Sequence, residues 1–358
     1  MFRIDRRLLL HFDWVLVGLA GVLVGAGLVT LWSLVPRFAM RQFVWLGLGT
    51  VGLLVLISID YRRLARWAYA GYAVGLGALA VVLVLGRSAQ GARRWLALGP
   101  LTLQPAELFK LVLIVALAHY LASREDQRPG WDRLVIPLGL AAPALALIIK
   151  QPDLGTALVL LPVILALVFV GGARGRDLGL LAGVGLAAAP TFWFFLRDYQ
   201  RERILVYLDP ARDPLGSAWN VIQAKITIGS GQLVGKGLFG GTQSRLAFLP
   251  ERHTDFIFAA FAESWGFLGA MVLLAVYGLL ALRGLEVAAS ARDALGSLLA
   301  TGATVLLVSQ ALVNLGMVTG LLPVVGIPLP LVSYGGSALL TALGAVALIA
   351  NVRMRRFA

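Results

Sequence analysis

Apolar stretches of about 20 residues, long enough to cross a hydrocarbon core as helices, follow one another along almost the whole chain. Read in order they predict ten spans, near 14–34, 43–59, 67–86, 106–122, 134–149, 154–171, 177–196, 256–282, 295–320 and 332–351. The fifth and sixth are short, as in helices that are tilted, broken or partly buried in protein. Glycine and alanine recur through the runs, which suits helices whose backbones pack closely in lipid. The first run, Trp14 to Leu34, exceeds the roughly 7–15 apolar residues of a secretory signal, so it reads as a span. The expected fold is an all-α polytopic membrane protein, one integral domain over 1–358 with a large extramembrane loop at about 197–255.

The polar punctuation orients these spans. Sixteen Lys and Arg fall on the connections that share the side of the N-terminus, from Arg3, Arg6 and Arg7 to Arg353, Arg355 and Arg356, against six on the short connections opposite. Basic residues are retained on the cytoplasmic side, so both termini are expected inside and the long loop outside. Its own basic residues weigh little, because long loops translocate largely regardless of charge. The unusual polar residues then fall on outer loops or outer helix ends.

Composition narrows the chemistry. With 59% hydrophobic and 14% charged residues the chain departs from soluble domains. The net charge of +13 sits in clusters between spans, a topological pattern rather than a nucleic-acid surface. The absence of cysteine excludes disulfides, thiolate ligands and cysteine nucleophiles. His11, His119 and His253 are scattered, with no metal-ligand spacing. No phosphate-binding glycine loop or serine-nucleophile elbow is present. No ATP is expected at an outward-facing site, which must draw on a substrate activated in another way, such as a lipid-linked one.

Several stretches carry candidate chemistry. Glu107 and Lys110 stand three apart on one helical face, just after Pro105, which suits a helix start. They read equally as a structural ion pair and as a functional intramembrane pair. In "KQPDLGT" (150–156) Asp153 reads first as a helix cap, with Pro152 shaping the turn and Lys150 near headgroup level. Within the long loop, 209–216 reads as turns and 217–228 as a helix lying on the interface. The glycine-rich 229–241 is either a lid or a loose connector. "SYGGS" (333–337) reads first as tight packing where the last span begins. Thr254 or Asp255 is expected to cap the eighth span, where the macrodipole favours an ionised carboxylate; that is also the state a general base needs. Glu263 lies roughly 12 Å deeper and about 80° around the helix. The two cannot share one reaction centre, so the paired-carboxylate geometry of glycosidases is not predicted.

Nine stretches, in order along the chain, carry a resemblance. They are "RRWLALG" (93–99), "QPAELFK" (104–110), "QPDLGT" (151–156), "DYQRERI" (198–204), "LDPARDPLG" (208–216), "IGSGQLVGKG" (228–237), "GTQS" (241–244), "LPERHTDFIFA" (249–259) and "NLGMVTGLLPVVGIPLPLVSYGGS" (314–337). Together they resemble the SEDS proteins of shape, elongation, division and sporulation, and Arg252 within "ERHTDF" is more similar to the elongation branch. Ala106 stands where the family commonly has serine, and Ser264 where it commonly has a second acid.

The resemblance implies ten transmembrane helices and a peptidoglycan glycosyltransferase. Such a protein polymerises lipid II in the outer leaflet of the bacterial inner membrane, alongside a class B penicillin-binding protein and the elongation machinery. It carries the family's essential aspartate over to Asp255, and places Glu107, Lys110 and Asp153 on other motif positions. Combined with the residue reading, Asp255 is expected to be the base. Lys110 is the first choice for a diphosphate contact, with Arg94 and Arg245 behind it, and Gln104, Glu107, Asp153, Glu263 and Ser333 as substrate-binding or support positions. No cofactor is required, although a divalent cation, magnesium or manganese, could assist the diphosphate. The alternatives are a flippase for lipid-linked precursors and a non-catalytic scaffold for the transpeptidase.

Overall fold

The computed structural model describes residues 12–89, 92–98, 101–125, 130–196, 198–209, 212–213, 216, 218–245 and 249–356. Arg3, Arg6, Arg7, His11 and Arg128 therefore lie outside the described residues, as do parts of the 93–99 and 208–216 stretches.

The chain is predominantly helical over its described residues. Its elements run α1 (Trp14–Leu34), α2 (Pro36–Ser58), α3 (Tyr61–Arg66), α4 (Ala68–Leu85), β1 (Arg87–Ala89), β2 (Ala92–Leu98), β3 (Leu101–Leu103), α5 (Pro105–Ala122), α6 (Asp132–Lys150) and α7 (Leu154–Val170). They continue with α8 (Gly175–Phe192), a 3-10 turn at Trp193–Phe195, α9 (Asp198–Leu208), α10 (Trp219–Ser230), α11 (Thr242–Arg245), α12 (Ile257–Ala289), α13 (Ala294–Thr319) and α14 (Gly336–Met354).

Eight of these helices (α1, α2, α4, α5, α6, α12, α13 and α14) are long and apolar enough to cross a membrane, with α7 shorter at Leu154–Val170. The α8 helix occupies the seventh predicted position but opens on Arg176 and Asp177. Pro137 and Pro143 lie inside α6 and Pro162 inside α7, and neither helix ends at them.

Local chemistry sets the helix ends. Asp13 accepts the Leu16 N–H at 3.0 Å to start α1, and Asp293 accepts the Gly296 N–H at 2.8 Å to start α13. Asp293 also receives the Arg62 Nε at 2.8 Å and the Tyr61 hydroxyl at 3.0 Å, which ties α3 to the foot of α13. Pro36 and Pro105 occupy the first turns of α2 and α5, where the missing N–H costs nothing.

The core is a central group of α5, α13 and α14, packed on one another and ringed by α2, α7, α12 and α1. The most apolar stretches of α14, α5 and α13 are 83%, 72% and 67% buried, against 22% for α4, so the periphery faces lipid. A small antiparallel sheet, in the order β1-β2-β3, sits between α4 and α5 with Ala97 opposite Thr102. The hydropathy pattern gave no sign of it, because strands of three to seven residues are too short to show a period. The expected interfacial helix at 217–228 is α10, while α9 was not anticipated from its charged sequence.

Candidate active site

Asp255 sits in the turn 249–256 that leads into α12. The expectation that it or Thr254 caps α12 is corrected: the cap position is Phe256, and no side chain bonds there. The Thr254 hydroxyl turns instead to Glu251, donating to its carboxylate at 3.0 Å. The Asp255 carboxylate is thus not committed to the helix N-terminus.

What holds Asp255 is the loop before α14. The Ser333 hydroxyl donates to the Thr254 carbonyl at 2.6 Å and accepts the Leu329 N–H at 2.8 Å. The Tyr334 N–H reaches the His253 carbonyl at 2.9 Å. From α13, the Asn314 amide donates at 2.8 Å to the Asp255 carbonyl and at 2.6 Å to that of Ile327, so one side chain fastens both loops. Gln42 of α2 completes the frame, donating to the Ser333 carbonyl at 3.0 Å. The His253 ring stacks on Phe38 with centroids 4.5 Å apart, sealing the turn toward α2.

Gly326 has φ +72°, and a Cβ built there would lie 3.4 Å from the Asp255 Oδ2. A side chain would be strained at that φ, and its Cβ would stand in contact with the carboxylate.

Burial pushes the Asp255 carboxyl from 3.8 up to about 7, and the Glu251 carboxylate adds to the rise. The positive charges of Arg203 and Arg94 act against it. The result is a carboxylate that exchanges its proton near neutrality, the condition for a general base.

Arg94 reaches the site from β2. Its Nε donates to the Gln151 carbonyl at 3.0 Å, a second nitrogen donates to the Pro152 carbonyl, and Nη1 lies 3.8 Å from Asp153. Asp153 caps α7 as expected, accepting the Thr156 N–H at 3.2 Å and hydroxyl at 3.1 Å. It also accepts the Gln104 amide at 2.9 Å, while the Gln104 N–H donates to Ser337 at 2.9 Å. Sheet, α5, α7 and α14 are thereby joined at one point.

Glu107 and Lys110 pair at 2.8 Å, and the ammonium also reaches Gln310 of α13 at 3.3 Å. The Lys110 side chain is 1% exposed and Glu107 6%. The Lys110 ammonium is thus sealed inside the bundle, which weighs against its expected place as the first diphosphate contact. Arg94, at 26% side-chain exposure, remains open. For Arg245 the backbone closes α11, and its side chain lies outside the described residues.

Glu263 accepts bonds on both oxygens. Oε1 takes Ser230 at 3.2 Å, Lys236 at 3.0 Å and the Thr242 and Gln243 N–H groups at 2.9 and 3.0 Å. Oε2 takes the Ser244 N–H at 2.9 Å and its hydroxyl at 2.6 Å. It is fully buried, and both of its oxygens are occupied by the loop 230–244.

Arg203, Asn314, Gln310 and Gln42 were not singled out from sequence. Arg203 lay within a resembling stretch, and its guanidinium now bonds the Val324 carbonyl at 3.0 Å. Gln310 and Asn314 are polar residues within an apolar run, a signal that points to paired or functional groups, whereas Gln42 follows Arg41 at the edge of its run.

Comparison with known proteins decides the lineage. The family described as cell cycle protein, of the FtsW, RodA and SpoVE type, matches residues 8–357. The chain belongs to the FtsW/RodA/SpoVE family. The peptidoglycan glycosyltransferase MrdB of Escherichia coli K12 is 42% identical over 317 residues, covering 88% of this chain and 85% of that protein. The probable peptidoglycan glycosyltransferase FtsW of Geobacter metallireducens is 35% identical, covering 99% and 98%.

Two solved structures align over nearly the full length. A chain from a study of how a peptidoglycan synthase complex coordinates polymerisation and crosslinking superposes with TM-score 0.83 at 40% identity, covering 97% of this chain and 98% of that one. The rod shape determining protein RodA of Thermus thermophilus gives 0.74 at 38% identity, with the same two coverages. For this FtsW/RodA/SpoVE chain the helical, multi-pass reading thus rests on sequence, structure and relatives alike.

Proposed function

We propose that the protein is a peptidoglycan glycosyltransferase that polymerises lipid II into glycan strands, for cell elongation and rod shape. The reading is supported by relatives named for that activity on both sides of the family. The observation that carries the chemistry is Asp255: a carboxylate pushed up to about 7, held by its backbone, with no described side chain donating to its oxygens.

In the proposed step, Asp255 accepts the proton of the 4-hydroxyl on the acceptor's N-acetylglucosamine. The oxygen so freed forms a bond to the donor's anomeric carbon. The bond from that carbon to the diphosphate breaks, and undecaprenyl diphosphate leaves with the electron pair, inverting the centre. Deprotonation and bond formation are coupled, so a base poised near the working pH is worth about 10²–10⁴ in rate. Arg94 is now the first residue assigned to the diphosphate. Lys110 and Glu107 instead keep α5 and α13 in register beneath the site. Among the described residues no group of three His, Asp or Glu is placed to hold a metal ion.

We place the site outside the bacterial inner membrane with both termini inside, on the basic-residue asymmetry. The transpeptidase expected beside it is a class B penicillin-binding protein, with the elongation machinery around them. The test is reconstitution of purified protein in lipid vesicles with lipid II, with and without that partner. Glycan strands support the enzyme. Translocation without polymer would mean a flippase, and neither product a scaffold.

Ser333→Ala strands the Thr254 carbonyl and the Leu329 N–H. An unpaired buried group costs about 1–3 kcal/mol. The variant should melt earlier and polymerise more slowly, with its pH dependence unchanged, as thermal unfolding and rate profiles would report.

A further inference from the structure

The segment between α10 and α11 is spliced into α12. At Gly266 the helix takes φ +68° and breaks. The carbonyls of Glu263 and Ser264 accept the N–H groups of Lys236 and Gly237 at 2.9 and 3.0 Å. The N–H groups of Phe267 and Leu268 donate to the carbonyls of Gln232 and Leu233 at 2.8 and 3.1 Å. The loop supplies the partners that an unbroken helix would have supplied itself. A Cβ at Gly266 would fall 2.3 Å from the Gly235 nitrogen, so the splice needs glycine there.

Polarity is sorted across the splice. Lys236 is the one charged residue of 231–241, and its ammonium is turned to Glu263 at 3.0 Å. The apolar side chains point away: Leu233 is 65% and Val234 77% exposed. They continue an exposed apolar surface on α12, where Phe267 is 55% and Leu268 58% exposed.

Depth follows from the other end of α12. Arg283 bonds Asp13, at the foot of α1, at 2.8 Å, and Glu286 lies one turn on, so these charges mark one edge of the hydrocarbon. From Arg283 up to Gly266 is roughly 25 Å at 1.5 Å per residue. A hydrocarbon core is about 30 Å thick. The splice therefore lies just inside the opposite edge, on the face that carries Asp255. Irregular backbone at that level requires its polar groups to be paired within the protein, and the four bonds at the break supply partners for Glu263, Ser264, Phe267 and Leu268 of α12.

We propose that residues 232–239 form a membrane-inserted tip whose ligand is the acyl chains of the leaflet facing Asp255. The tip extends the lipid-facing surface of α12 and is held by the Glu263–Lys236 pair. The proposal rests on the chain spanning a membrane and is independent of the glycosyltransferase reading.

The chain lacks cysteine, so single labels are unambiguous. Val234→Cys would carry a nitroxide in the full-length protein, reconstituted in phosphatidylcholine and phosphatidylglycerol vesicles. Leu279→Cys, on the lipid face of α12 at 53% exposure, and Arg37→Cys, exposed in the first turn of α2, serve as references. Power saturation with oxygen and with a water-soluble nickel chelate reads the environment. The label at 234 should relax with oxygen and lose nickel relaxation, as at 279. Nickel relaxation equal to that at 37 would overturn the proposal, and shielding from both agents would overturn it in favour of a protein partner. Adding Glu263→Ala should restore nickel access at 234; unchanged shielding would remove the pair from the proposal.

Discussion

Asp255→Asn should reduce polymerisation of lipid II by about 10²–10⁴-fold, the usual worth of a positioned base, while the protein still folds. The reason is geometric: the turn is held by the Thr254 and Asp255 carbonyls, which the substitution leaves in place. The wild-type pH profile tests the same group. With its carboxyl pushed up to about 7, Asp255 is protonated below that value and cannot accept a proton. Activity should fall through that pH on the acid side, with the slope of a single ionisation. Stability should move the opposite way. A folded-state value raised above the ordinary 3.8 means that the native protein holds a proton the unfolded chain has lost between about 4 and 7. Stability then declines as pH rises through that window. Asp255→Asn removes the decline, so the variant should gain in melting temperature over wild type at pH 8 and much less at pH 5. A variant that polymerised at the wild-type rate would exclude Asp255 as the base.

The second large effect lies in the bundle. Lys110→Ala should destabilise the protein by about 3–5 kcal/mol, the cost of leaving one member of a buried pair uncompensated. Glu107 would then face α13 with its partner gone, because Gln310 reaches the ammonium and not the carboxylate. The pair Glu107→Gln with Lys110→Met removes both charges together and should recover most of the loss in thermal unfolding. If Lys110→Ala melted like wild type yet lost activity, the pair would have a direct role that its burial does not suggest.

Much of this was legible in the sequence, and the misses have physical causes. The spans were readable because a hydrocarbon core demands long apolar runs. Asp153 as a cap was readable because capping is local, decided by residues three apart. The direction in which Lys110 points was not, since it depends on Gln310, 200 positions away in a different helix. Asp255 was expected at a helix cap, and that was wrong because a nonlocal clamp of Asn314 and Ser333 sets its turn. Glu263 was read as a support, but its partners in 230–244 cannot be deduced from spacing. The sheet that brings Arg94 to Asp153 left no mark, because its strands are brief and lie between strong apolar runs.

That nonlocal clamp has a consequence for the order of synthesis. Asp255 is made well before the residues that secure it: Asn314 follows by 59 positions, and Ser333 follows Thr254 by 79. A chain emerging from the ribosome therefore carries its aspartate through two further helices before the turn around it is fixed. The site comes into being only as the final span takes its place, so a partly synthesised chain has the residue without the centre.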